Sequence, residues 1–221
     1  MKFSQKSIYA KLDEVPIMPL FNHPDIETSK AVAKACYDGG IRVFEYTNRG
    51  KGADKVFAAL VKYIRDEFPD MAIGIGTIYN AQEAEYFVSL DADFIVQPTL
   101  DAGVAKVCLQ NQMAWFPGVL TANEIYQAQL LGADIVKIFP ANVLNPSFIK
   151  SIKSILPKVE MMITGGVEPT AKSLNTWFGA GAKAVGMGGQ LFPKDVLENN
   201  NFTWIETTVK DCINIVKGEQ E

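Results

Sequence analysis

Short apolar runs alternate with longer amphipathic stretches along almost the whole chain. Val15 to Phe21 reads as a first strand, and Pro24-Asp25 opens a helix to Asp38 that Gly39-Gly40 ends. Strands are predicted at Arg42 to Arg49, Ala72 to Ile78, Phe94 to Pro98 and Ala114 to Val119. Helical stretches fall between them at Ala53 to Phe68, Ala81 to Leu90 and Ala102 to Gln110. Thr121, with Glu124 three residues on, forms a capping box for a helix to Leu131. The sixth strand follows, Asp134 to Pro140, and the seventh and eighth are Glu160 to Thr164 and Ala184 to Met187. Helices at Pro146 to Leu156, Thr170 to Phe178 and Phe202 to Lys217 complete the pattern.

Eight strand–helix units in this order imply parallel strands joined by crossover helices. A doubly wound open sheet is the alternative. Near-equal units without a composition break favour one α/β domain, a (β/α)8 TIM barrel spanning residues 1–221. Weak self-similarity agrees. Gly39-Gly40-Ile41-Arg42-Val43-Phe44, Asp91-Ala92-Asp93-Phe94-Ile95-Val96, Gly132-Ala133-Asp134-Ile135-Val136-Lys137 and Gly181-Ala182-Lys183-Ala184-Val185-Gly186 resemble one another. Residues 1–14 form an N-terminal extension, whose short helix, Lys6 to Leu12, presents Ile8, Tyr9 and Leu12 to cover one end of the barrel.

The composition, 48% hydrophobic with net charge −4, lacks the basic footprint of a nucleic-acid binder. No apolar run approaches the ~20 residues of a membrane span, and the N-terminus lacks a signal-peptide apolar region. Three scattered cysteines, Cys36, Cys108 and Cys212, lack metal-ligand spacing and suit a reducing cytoplasm. The one histidine, His23, cannot build a multi-histidine metal site.

Chemistry enters at the sixth strand, where Lys137 interrupts a run of β-branched and aromatic residues. Burial favours the neutral amine of lysine, which is nucleophilic toward carbonyl carbon. An internal ion pair is the plain alternative. Alternation puts Ile135, Lys137 and Phe139 on one face, and Val43, Glu45, Thr47 and Arg49 on one face of the second strand. In an eight-stranded barrel those two strands stand opposite, so Glu45 and Lys137 approach across the interior. Thr77 closes the third strand after Gly74-Ile75-Gly76. Gly165-Gly166 and Gly188-Gly189 follow strands seven and eight, where barrels commonly hold a phosphate on backbone N–H groups.

Glu45-Tyr46-Thr47-Asn48-Arg49, Gly74-Ile75-Gly76-Thr77, Lys137-Ile138-Phe139-Pro140-Ala141 and Thr164-Gly165-Gly166-Val167 together resemble the class I 2-keto-3-deoxy-6-phosphogluconate (KDPG) aldolases and the overlapping 4-hydroxy-2-oxoglutarate (KHG) aldolases. The likeness runs from about Val15 to Pro193. It implies a Schiff-base lyase that splits a keto acid phosphate into pyruvate and D-glyceraldehyde 3-phosphate. The galactonate-derived epimer, or a non-covalent sugar-phosphate isomerase or binding barrel, is the alternative. It also implies a homotrimer without metal or cofactor. By the same resemblance Lys137 forms the imine and Glu45 is the acid–base. Arg49 and Thr77 hold the carboxylate side, Pro98 and Thr164 line the pocket, and Phe139 packs on the imine. Gly165, Gly166, Gly188 and Gly189 take the phosphate. Two departures stand out: Gly50 and Gly189 occupy places where such enzymes often carry a hydroxyl.

Overall fold

The computed structural model describes residues 2–218. Nine parallel strand segments form the sheet: β1 Ile17–Phe21, β2 Val43–Thr47, β3 Ala72–Gly76, β4 Phe94–Val96, β5 Ala114–Phe116, β6 Gly118–Val119, β7 Ile135–Ile138, β8 Glu160–Thr164 and β9 Ala184–Met187. Their order is β5-β4-β3-β2-β1-β9-β8-β7-β6. Both end segments belong to one stretch of chain. β5 pairs with β4 on one side and β6 with β7 on the other, so the sheet is a nearly closed barrel. Eight strand positions were expected and eight are occupied. The fifth strand is broken at Pro117, whose nitrogen cannot donate to a ladder. The Pro117 carbonyl still accepts from Lys137 N–H at 2.8 Å.

The described residues form ten helices, among them α1 Gln5–Glu14, α2 Ile26–Asp38, α3 Ala53–Glu67, α4 Ala81–Ser89 and α5 Ala102–Gln110. The later ones are α6 Ala122–Leu130, α7 Ser147–Ile155, α8 Ala171–Gly179, the short α9 Lys194–Glu198, and α10 Phe202–Lys217. The α6 capping box forms as its sequence predicts. Neither α9 nor the 3-10 turn Ala141–Val143 has a periodic signature, because elements this short bury too few residues to write one.

Strand alternation sorts the apolar residues into two layers. Phe44, Tyr46, Ile75, Val136, Ile138 and Ile163 pack outward under the helices. Met18, Val43, Phe94, Phe116, Ile135 and Met162 fill the lower barrel interior. Ile8 and Leu12 of α1 are buried in that same inner cluster, with Tyr9 packed against it. The N-terminal helix therefore plugs the barrel at the N-terminal ends of the strands.

A polar network fastens it there. Asp93 is fully buried and accepts two hydrogen bonds from Arg65, at 2.9 Å each, and one from Ile73 N–H at 3.0 Å. It also accepts the backbone N–H groups of Lys2 and Phe3, at 2.7 and 3.3 Å. Lys183, just before β9, pairs with Asp13 of α1. With one end closed, only the C-terminal ends of the strands remain for a ligand. Among the described residues no helix is long and apolar enough to cross a membrane.

Candidate active site

The upper interior layer changes from apolar to polar. Leu20, Glu45 and Gly74 stand in register on β1, β2 and β3. Lys137 pairs with Gly118 on one side and Met162 on the other, and Thr164 with Gly186. Each polar side chain here shares the inward face of its strand with a core residue one step below: Val43 beneath Glu45, Ile135 beneath Lys137, Met162 beneath Thr164. The inward direction read from alternation is the observed one.

Glycine makes room for these side chains. A Cβ on Gly76 would lie 1.7 Å from Glu45 Oε1, and one on Gly186 would lie 2.4 Å from Thr164 Oγ1. The Glu45 carboxylate thus rests over Gly76 of the neighbouring strand, a space that no other residue type would leave open.

Glu45 is wholly buried and Lys137 is 4% exposed. Burial pushes the Glu45 carboxyl above its ordinary range, against the opposing pull of Lys137 and then Arg49. Burial likewise lowers the Lys137 amine, opposed by Glu45 and reinforced by Arg49. For both groups loss of hydration outweighs mutual attraction, which drives the amine toward its neutral form. Lys137 Nζ lies 5.0 Å from the centroid of the Phe139 ring. Both Glu45 carboxylate oxygens and Thr164 Oγ1 are buried without a hydrogen-bond partner among the described residues. Such groups are costly, and they mark a site shaped for something other than stability.

Above this layer opens a cavity of about 390 Å³. Its wall includes Arg49, Phe139, Thr164, Gly165, Gly166, Gly188 and Gly189, seven of the residues singled out in the sequence. Glu45 and Lys137 are not on this wall and are buried in the polar layer of the barrel. Thr77 and Pro98 do not line the cavity; they follow the ends of β3 and β4. Thr77 has a left-handed φ of 64° and is half-buried, and the Pro98 carbonyl packs against Gly118. Gly165 and Gly166 take φ of 100° and 74°, which turns the chain sharply after β8. After β9, Gly188 and Gly189 carbonyls accept from Leu191 and Phe192 N–H at 2.8 and 3.3 Å. Consecutive turns of this kind leave their leading N–H groups without partners inside the turn, as at a helix N-terminus.

A family model for KDPG and KHG aldolases matches residues 8–208. The chain belongs to that family. Its members are carbon–carbon lyases of the aldehyde-lyase class. The 2-dehydro-3-deoxy-phosphogluconate aldolase of Zymomonas mobilis is 32% identical over 157 residues, 71% of this chain and 73% of that one. The enzyme of the same name from Haemophilus influenzae is 28% identical over 221 residues, covering 98% and 100%. Among solved structures, the Zymomonas mobilis 2-keto-3-deoxy-6-phosphogluconate aldolase with 3-phosphoglycerate superposes with a TM-score of 0.79 at 28% identity, covering 95% of this chain and 96% of that one.

The cavity also draws in residues to which the family resemblance assigns no role. Asn22, Thr47 and Gln190 supply polar groups, and Leu20, Phe21, Val167, Phe192 and Leu197 supply apolar surface. Thr47 was visible as a third polar residue on the inward face of β2. Asn22 and Gln190 each follow directly on a strand end or a glycine turn, a position that signals the barrel mouth but not which way a side chain faces. Among the described residues no group of three or more His, Cys, Asp and Glu side chains is placed to hold a metal ion.

Proposed function

We propose that this family member is a class I aldolase that cleaves 2-dehydro-3-deoxy-6-phosphogluconate to pyruvate and D-glyceraldehyde 3-phosphate through a Schiff base on Lys137. One observation carries the reading. A buried lysine, its amine biased toward neutrality, shares the barrel interior with a buried, hydrogen-bond-free carboxylate beneath an open cavity.

The Lys137 amine adds to the C2 ketone to give a carbinolamine, and loss of water gives the iminium. Glu45, directly or through water, takes the proton of the C4 hydroxyl. The C3–C4 bond breaks and its electron pair flows into the iminium, leaving an enamine and releasing the aldehyde. Protonation of the enamine at C3 and hydrolysis then release pyruvate and restore the amine. Glu45 serves as base and then as acid, so a carboxyl raised toward neutrality suits it. The face of Phe139 lies near Lys137 Nζ, where a ring favours the cationic imine. In this reading Arg49 on the cavity wall holds the substrate carboxylate with Thr77 at the end of β3, and Thr164 and Pro98 line the pocket, Thr77 and Pro98 coming into reach only with substrate bound. The turns at Gly165-Gly166 and Gly188-Gly189 offer backbone donors to the phosphate. The same chemistry extends to 4-hydroxy-2-oxoglutarate, which needs no phosphate contact.

Family resemblance also brings a homotrimer into the proposal, and three buried, unpaired thiols support a cytoplasmic setting. The test is pyruvate release, coupled to lactate dehydrogenase, from the gluconate- and galactonate-derived phosphates and from 4-hydroxy-2-oxoglutarate. The gluconate-derived phosphate should give the highest kcat/KM. Pyruvate from none of the three would refute the proposal.

A further inference from the structure

Asn22 follows the last residue of β1 and lies on the cavity wall. Its Nδ2 donates to two backbone carbonyls at the end of β2 and just past it, Thr47 O at 2.8 Å and Arg49 O at 3.1 Å. An amide nitrogen has two protons, so both are engaged. Thr47 O also accepts from Arg49 N–H at 2.8 Å. The side chain of Asn22 therefore closes the turn that carries Arg49 onto the neighbouring strand.

Asn48 N–H ties the turn to β3, donating to Gly76 O at 2.8 Å, and Asn22 is the side chain that holds it on the β1 side. Gly50 and Gly52, which follow Arg49, have φ of 82° and 85°, and no atom lies within 4 Å of where a Cβ would stand on either. Glycine takes that conformation without steric cost, and neither residue has a side chain to pack the turn in place. The β1–β2 ladder, in contrast, does not need Asn22. Leu20 and Phe21 pair with Glu45 and Tyr46, and the Tyr46 hydroxyl donates to His23 O at 2.9 Å. The two Asn22 bonds lie past the end of that ladder. Arg49 is also the only cationic side chain on the cavity wall among the described residues. Its placement decides where a substrate carboxylate can dock.

We propose that Asn22 is a positioning residue that fixes the Arg49 turn and thereby the site's affinity for the carboxylate of a 2-keto acid. This rests on the aldolase reading of Arg49. The test is a double-mutant cycle of Asn22→Ala with Arg49→Ala, with Asn22→Asp as a same-shape variant that lacks the amide donors. Two quantities are read: KM for the keto acid in the pyruvate-release assay, and the pyruvate concentration that half-saturates borohydride labelling.

Asn22→Ala should raise both about tenfold, with kcat falling less than about threefold. In the Arg49→Ala background it should change neither, because the two residues act through one contact. Asn22→Asp should behave like Asn22→Ala. Additive effects, or a fall in kcat at unchanged KM, would overturn the proposal. So would loss of the fold in both Asn22 variants, which would make the residue a support of the barrel. A wild-type protein that neither labels nor releases pyruvate would instead remove the aldolase reading, an outcome distinct from all of these.

Discussion

Gly76→Ala moves the acid–base group without altering it. A Cβ at Gly76 would stand 1.7 Å from Glu45 Oε1, 2.4 Å from Cδ and 3.0 Å from Cγ. Ordinary contacts begin near 3.5 Å, so the carboxylate must retreat by roughly 2 Å. Gly76 is not among the glycines with positive φ, so alanine adds no backbone strain and the burden falls on Glu45. Overpacking of this kind costs about 1–3 kcal/mol. In a chain of this length that lowers Tm by about 2–12 °C. A reacting group misplaced by about 1 Å loses roughly 10²-fold in rate, and the whole acid–base contribution is about 10²–10⁴-fold. The expectation is a kcat at least about 10²-fold lower, with pyruvate still trapped on Lys137 by borohydride. Gly179→Ala in α8, where nothing lies within 4 Å, is the folding control. Normal kcat in Gly76→Ala at the expected lower Tm would refute the role given to Glu45.

Two further outcomes follow from the buried charges. Imine formation needs the neutral amine, so labelling should rise with pH through the lowered value of Lys137. Glu45 raises that value and Arg49 lowers it. Glu45→Gln should therefore shift the labelling profile to lower pH while slowing cleavage by about 10²–10⁴-fold, and Arg49→Ala should shift the profile to higher pH. A profile unmoved by either change would show that the three charges are not coupled. At the opposite end of the barrel, Asp93→Ala leaves Arg65 and three backbone N–H groups without their shared acceptor. A loss of about 3–5 kcal/mol is expected in urea unfolding at unchanged m. A loss below about 1 kcal/mol would show that α1 is held by its apolar face alone.

Repeating local physics made most of the fold legible in the sequence. Every strand position was marked by a short apolar run, and the inward face of β2 and β7 followed from alternation alone. The helical plug was readable because Ile8 and Leu12 lie four apart on one face. What escaped depends on contacts between distant residues. Pro117 is a visible ladder breaker, yet whether it ends a strand or divides one depends on the neighbours β4 and β7. Asp93 reads as a turn residue until Arg65, 28 positions earlier, and the backbone of Lys2 and Phe3 converge on it. Asn22 and Gln190 could be placed at the barrel mouth from their positions after strand ends. Their exposure to a cavity is a property of three-dimensional closure. The separation of Glu45 and Lys137 from the cavity wall has the same origin, since alternation gives a direction but not a depth.

The Schiff base itself is tested most directly by trapping. The protein is incubated with pyruvate, reduced with borohydride, and its intact mass and peptides are weighed. One stable adduct per chain on the peptide containing Lys137 is the predicted result, absent from Lys137→Arg. No adduct where a control aldolase labels, or an adduct on another lysine with Lys137→Arg still active, would contradict the account.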